Sequence, residues 1–137
     1  MILVDDHLLA VHLGDSRAVA PGSVPLATTC SWWWRLAAAL GGDRGGALSR
    51  IMDPLEPGTE PTSTLAVERV RDEVTVLDLR DLIPNMARVA ARYRLNLLAA
   101  EALVAADALG ADIVVGQDTP RLREAARVRG ITYLVEA

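Results

Sequence analysis

The chain has 137 residues, of which 51% are apolar and 23% charged, a balance that supports one folded domain and excludes a disordered or collagen-like polymer. Its net charge of −4 excludes a protein wholly dedicated to coating nucleic acid, although a local basic patch can exist on an acidic domain. No run reaches the roughly 20 apolar residues of a membrane span, the start lacks the pattern of a secretion signal, and the lone Cys30 can form no internal disulfide, so a cytoplasmic location without a membrane partner is expected.

The opening Met1-Ile-Leu-Val-Asp5 is a short apolar run ending in an acid, which predicts a buried strand delivering a carboxylate to its C-terminal edge. His7 to Leu13 predicts a helix, and the proline, glycine and serine between Gly14 and Pro25 predict a loop leading into Leu26 to Thr29. A helix is expected from Ser31 to Leu40, with Ser31 as its cap and Gly41-Gly42 as its stop. Residues 53–64 hold three prolines and no periodicity, so they predict an exposed connection inside a single domain spanning 1–137.

Beyond it, Val74 to Leu79 alternates like a strand, and Asp81 to Arg92 has helical spacing with Pro84 in its first turn. Arg94 to Leu109 has almost no polar face, which predicts a central, buried helix ended by Gly110. Asp112 to Gly116 then predicts a strand, Thr119 to Arg129 a helix with Pro120 at its first position, and Ile131 to Val135 a final strand. Strand and helix alternate throughout this half, so the expected class is α/β: three layers, α/β/α, around a mainly parallel sheet.

Ligands gather beyond the carboxyl ends of the strands in such sheets. Asp5 and Asp118 follow strands there, and Glu101 lies on the buried helix among Leu97, Leu98, Val104 and Ala105. A carboxylate in those surroundings needs a partner, which is either a structural one, an arginine or backbone amides, or a metal ion. All 14 basic residues are arginine, so no chemistry can depend on a lysine ammonium. Oxygen donors of this kind suit Mg²⁺ or Mn²⁺, ions that activate water and stabilise the leaving oxygen of a phosphodiester.

At both ends the sequence resembles the PIN-domain family, which includes toxin ribonucleases of toxin-antitoxin pairs. Met1-Ile-Leu-Val-Asp5 is similar to its opening strand and first acid, and Glu101-Ala-Leu-Val-Ala-Ala with Leu109 to Asp118 is similar to its buried helix, strand and terminal acid. The resemblance implies a PIN-like fold with Asp5, Glu101 and Asp118 as catalytic metal ligands, Mg²⁺ or Mn²⁺ as cofactor, RNA as substrate and an antitoxin as partner. Three departures stand out. Trp32-Trp33-Trp34-Arg35 occupies the place of a family acid, Glu101 replaces an aspartate, and Asp6-His7 follows the first acid in place of a small hydroxyl residue. They imply the alternative of a catalytically silent PIN-like binding or regulatory module.

A second resemblance is to receiver domains of response regulators. Ile2 to His7 is similar to their start, and Val76 to Arg80 with Ile83-Pro84 to their phosphoacceptor strand, with Asp78 as phosphoacceptor. The interval from Asp5 to Asp78 is too long for that family, and its phosphate-contacting lysine has no counterpart.

His7 and His12 point about 140° apart on a helix and would not share a zinc ion, although His7 alone can join Asp5 or Asp6 around a metal. Two ordinary histidines at the surface or facing loops are the expectation. Cys30 is expected to be a buried, inert thiol. Three consecutive tryptophans sweep about 200° of a helix, so at least one must reach the surface, and a homodimer or other oligomer through Trp32 to Trp34 is expected. Arg88 with Arg92, and Arg123 with Arg127, share helical faces and could contact phosphates, but solvated helix faces explain them as well.

Overall fold

The computed structural model describes residues 1–14, 24–41 and 60–136, with side chains described outside 60–66. Strands β1 (Ile2–Val4), β2 (Leu26–Thr28), β3 (Thr75–Val76), β4 (Asp112–Val115) and β5 (Tyr133–Val135) form one sheet in the order β3-β2-β1-β4-β5. Every pairing is parallel, with Ile2 opposite both Leu26 and Asp112. Six helices accompany them among the described residues: α1 (Asp6–Gly14), α2 (Cys30–Gly41), α3 (Glu60–Glu73), α4 (Leu79–Tyr93), α5 (Leu97–Leu109) and α6 (Pro120–Val128).

Alternation along the strands divides the core in two. Leu3, Ala27, Ile113 and Val115 pack with residues of α4, α5 and α6 on one face, and Val4, Leu26 and Val114 pack with residues of α1, α2 and α3 on the other. The result is the α/β/α sandwich that the sequence pattern predicts. None of the described helices is long and apolar enough to cross a membrane.

The chain winds outward from β1 to β3, then crosses back through α4 and α5 to place β4 on the free side of β1. The direction of winding therefore reverses between β1 and β4, which opens a crevice beyond their carboxyl ends. This order differs from the 2-1-3-4-5 order of receiver domains. Asp78, which the receiver resemblance would make a phosphoacceptor, follows the edge strand β3 and caps α4 by accepting from the Arg80 amide at 3.0 Å.

Several expected boundaries move. Of the predicted connection at 53–64, residues 53–59 lie outside the described part and 60–64 are the first turns of α3, which accept Pro61 near the helix start. Only Thr75 and Val76 pair as a strand in the segment expected to run from 74 to 79, because the Asp78 cap starts α4 at Leu79. Pro84 consequently sits inside α4 and not in its first turn. Arg94 adopts a left-handed conformation (φ 55°) and ends α4, and Asn96 accepts from the Ala99 amide to start α5. The long apolar helix expected from Arg94 thus begins at Leu97.

Candidate metal centre at the carboxyl edge of the sheet

Asp5 leaves β1 directly into the crevice and is buried, as are the next two residues, Asp6 and His7, in the first turn of α1. Both Asp5 oxygens accept backbone amides: Oδ1 from Leu8 at 3.0 Å, and Oδ2 from Gly116 at 3.0 Å and Gln117 at 3.2 Å, just past β4. Burial nevertheless outweighs these bonds and pushes the Asp5 carboxyl above its ordinary pKa.

Gly116 is required by closeness. A Cβ there would stand 2.9 Å from the His7 Cβ, so only the smallest residue lets the backbone after β4 reach the Asp5 carboxylate.

His7 Nδ1 lies 3.0 Å from Asp6 Oδ1 and 3.8 Å from Asp5 Oδ2. The hydrogen bond with Asp6 raises the imidazole pKa above its usual value, against the opposing effect of burial. The other Asp6 oxygen, Oδ2, is buried and makes no hydrogen bond, although Arg35 Nε of α2 stands 3.1 Å away as an ion pair. Asp5, Asp6 and His7 each offer one donor atom within 4.8 Å of the others, the one such group of three among the described residues. Beside them is a small cavity of about 60 Å³, also lined by Trp32, Arg35 and Asn96. That space admits an ion with a water or two and excludes a nucleobase.

The three acids expected to share a metal are not gathered into one such group. Glu101 is fully buried on α5, and its carboxylate accepts from the amides of Cys30 at 2.8 Å and Ser31 at 3.2 Å. It anchors the N-terminus of α2, where unpaired amides and the helix dipole favour an anion. Of the partners considered for it, backbone amides are the ones found. Asp118 lies beyond β4 and receives the Tyr133 hydroxyl at 3.2 Å, with Arg123 Nη1 at 3.1 Å. The Tyr133 oxygen in turn accepts the Thr119 amide at 2.9 Å.

The histidines are not at the surface: both are buried, His7 in the cluster and His12 with Nε2 at 3.9 Å from Glu73 Oε2. Thr29, and not Ser31, caps α2, accepting from the Trp32 amide at 3.0 Å. Cys30 is half-buried, and its thiol donates to the Leu77 carbonyl. Trp32 is in the core, Trp33 half-buried and Trp34 69% exposed, so one ring reaches the surface as the helical sweep requires. Arg123 and Arg127 are ion-paired with Asp118 and Glu124.

The sequence points to His7 with Asp5 or Asp6, but not to the three together. The available signal was the first turn of a helix placed directly after a buried strand, which turns adjacent side chains inward together. No protein-family model and no curated protein matches the chain.

Proposed function

We propose that the chain is a PIN-like domain that holds a divalent cation through Asp5, Asp6 and His7 and hydrolyses RNA. The observation that carries this reading is the buried group of two carboxylates and an imidazole at the crevice where the winding of the sheet reverses. The donors fit an ion: a buried Asp6 oxygen makes no hydrogen bond and is faced only by the Arg35 ion pair, and the adjoining space is ion-sized. An imidazole among oxygen donors favours Mn²⁺ over Mg²⁺. When bound, such an ion polarises a phosphodiester and lowers the pKa of water.

The chain's own groups have separate tasks. Asp5 is oriented by three amides, so its carboxylate does not have to be organised when an ion arrives. Arg35 engages Asp6 through Nε, and its remaining fork can receive a phosphate oxygen. Glu101 fixes the start of α2, and with it the position of Arg35. Glu101 and Asp118 act here as supports of the crevice and not as ligands.

The test has two stages. Mn²⁺ titration by calorimetry should show one site in the wild type and at least about a tenfold weaker one in Asp6→Asn, the size expected when a metal site loses a polar partner. RNA cleavage with Mn²⁺ or Mg²⁺ should then disappear in Asp5→Ala. Absence of ion binding removes the metal centre, and equal cleavage by wild type and variant removes the nuclease.

One observation favours a second reading, a catalytically silent PIN-like module. Both Asp5 oxygens and Arg35 already have partners within the chain, while Trp34 stands exposed on α2. Under this reading Trp34 joins a second copy or another protein such as an antitoxin, and Trp34→Ala lowers the association seen in sedimentation without altering ion binding.

A further inference from the structure

A concavity of about 640 Å³ lies away from the carboxylate crevice, between α4 and α5. That is within the range of small-molecule sites, roughly 300–1,000 Å³. Its apolar floor is the small exposed edges of Leu82 and Val89 of α4 and Val104 of α5, over the fully buried Leu103. Arg88 and Arg92, one turn apart on α4, line its polar side.

These two arginines differ from most others among the described residues. Arg35, Arg69, Arg71, Arg123, Arg127 and Arg129 each have a carboxylate within 4.0 Å. Among the described residues Arg88 and Arg92 have none: Arg88 Nε reaches only the Pro84 carbonyl, at 3.4 Å, and the Arg92 guanidinium sits 5.4 Å from the Tyr93 ring centre. Arg80, Arg94 and Arg121 also lack a carboxylate, but they do not line the groove.

The groove also carries three acids, Asp78, Asp81 and Asp107. Asp107 is already matched by Arg129 at 2.5 Å. Asp78 gives one oxygen to the Arg80 amide. Asp81 lies seven residues before Arg88 on the same helix, about 10 Å away along the axis and therefore close to a screening length at physiological salt.

We propose that the groove between α4 and α5 binds a small organic oxyanion, its phosphate or carboxylate received by Arg88 and Arg92 and its apolar body laid on Leu82, Val89 and Val104. Two guanidinium forks one turn apart match the paired oxygen acceptors of such a head group. The apolar floor discriminates against bare inorganic anions. This site is independent of the metal centre and of any action on RNA.

Amide NMR of the metal-free full chain tests it with four probes: 1-naphthyl phosphate, 1-naphthoate, 1-naphthylmethanol and inorganic phosphate. The first two should shift amides within 82–92 and 103–108 saturably, and whichever binds tighter identifies the head group. The neutral alcohol and inorganic phosphate should bind at least about tenfold more weakly. The double variant Arg88→Gln, Arg92→Gln, whose side chains are exposed, should keep a dispersed spectrum and lose at least about tenfold in affinity. Shifts scattered over the molecule, equal binding of the alcohol, or unchanged affinity of the double variant would each overturn the proposal.

Discussion

Two concave regions of this molecule handle charge in opposite ways. At the carboxyl edge of the sheet, Asp5, Asp6 and His7 are buried around about 60 Å³, whereas Arg88 and Arg92 are exposed on the wall of about 640 Å³. A buried charge must be answered by the protein itself, through amides, an imidazole or a counter-ion. An exposed one is answered by water. The edge should therefore be costly to alter in stability, and the groove cheap in stability but costly in ligand affinity.

The largest contrast should come from Glu101→Ala set against Arg88→Ala. Removing Glu101 takes the acceptor from the Cys30 and Ser31 amides and leaves a void in a fully buried position, an expected loss of about 3–5 kcal/mol. Arg88→Ala should change stability by no more than about 0.5 kcal/mol. Urea unfolding of the two variants measures both, and similar small losses would break the comparison.

A smaller effect should follow from Gly116→Ala. The added methyl would meet the His7 Cβ at 2.9 Å, backbone-borne groups with little freedom to yield, at a cost of about 1–3 kcal/mol. Because Gly116 also donates to Asp5, this variant should bind Mn²⁺ more weakly by calorimetry. A stability loss with unaltered ion binding would separate the packing of the edge from its chemistry.

The smallest effect concerns pH. Asp6 holds the His7 imidazole above its ordinary pKa of 6.5, so in the metal-free protein the folded state binds this proton more tightly than the unfolded chain does. The resulting stability is complete below the unfolded value and is lost as pH rises through the folded one. Unfolding at a series of pH values should show that decline in the wild type and a shallower one in His7→Gln, with the imidazole signals titrating late by NMR. Asp6→Asn should bring that titration back toward its ordinary position.

The comparison also explains what the sequence made legible. Apolar runs ending in Asp5 and before Gly116 locate the strands that meet at the reversal of winding, and the almost wholly apolar stretch 97–109 locates the central helix, because burial of 99–106 on every side leaves no polar stripe. The need of Glu101 for a partner is equally legible from its neighbours. Which partner answers it is not: the choice between an ion, an arginine and the amides of Cys30 and Ser31 depends on contacts about seventy residues away in the chain. The reach of the Asp78 cap, which turns an expected strand into the start of α4, and the left-handed turn at Arg94 were masked by ordinary helical periodicity on either side. The groove between α4 and α5 was visible only as the shared face of Arg88 and Arg92, since its floor arises from two helices together.

The bonds from Gly116 and Gln117 to Asp5 span 111 and 112 residues. Helix pairs such as α4 and α5 join neighbours in sequence and can form early, whereas closing so long a loop carries a larger entropic toll and comes late in folding. The strand bearing Asp5 precedes by more than a hundred residues the one that completes its surroundings, so these bonds depend on the elements between them being in place. The surroundings of Asp5 are thereby a record of assembly: its Oδ2 gains the Gly116 and Gln117 amides only once the strand that follows α5 has docked beside β1.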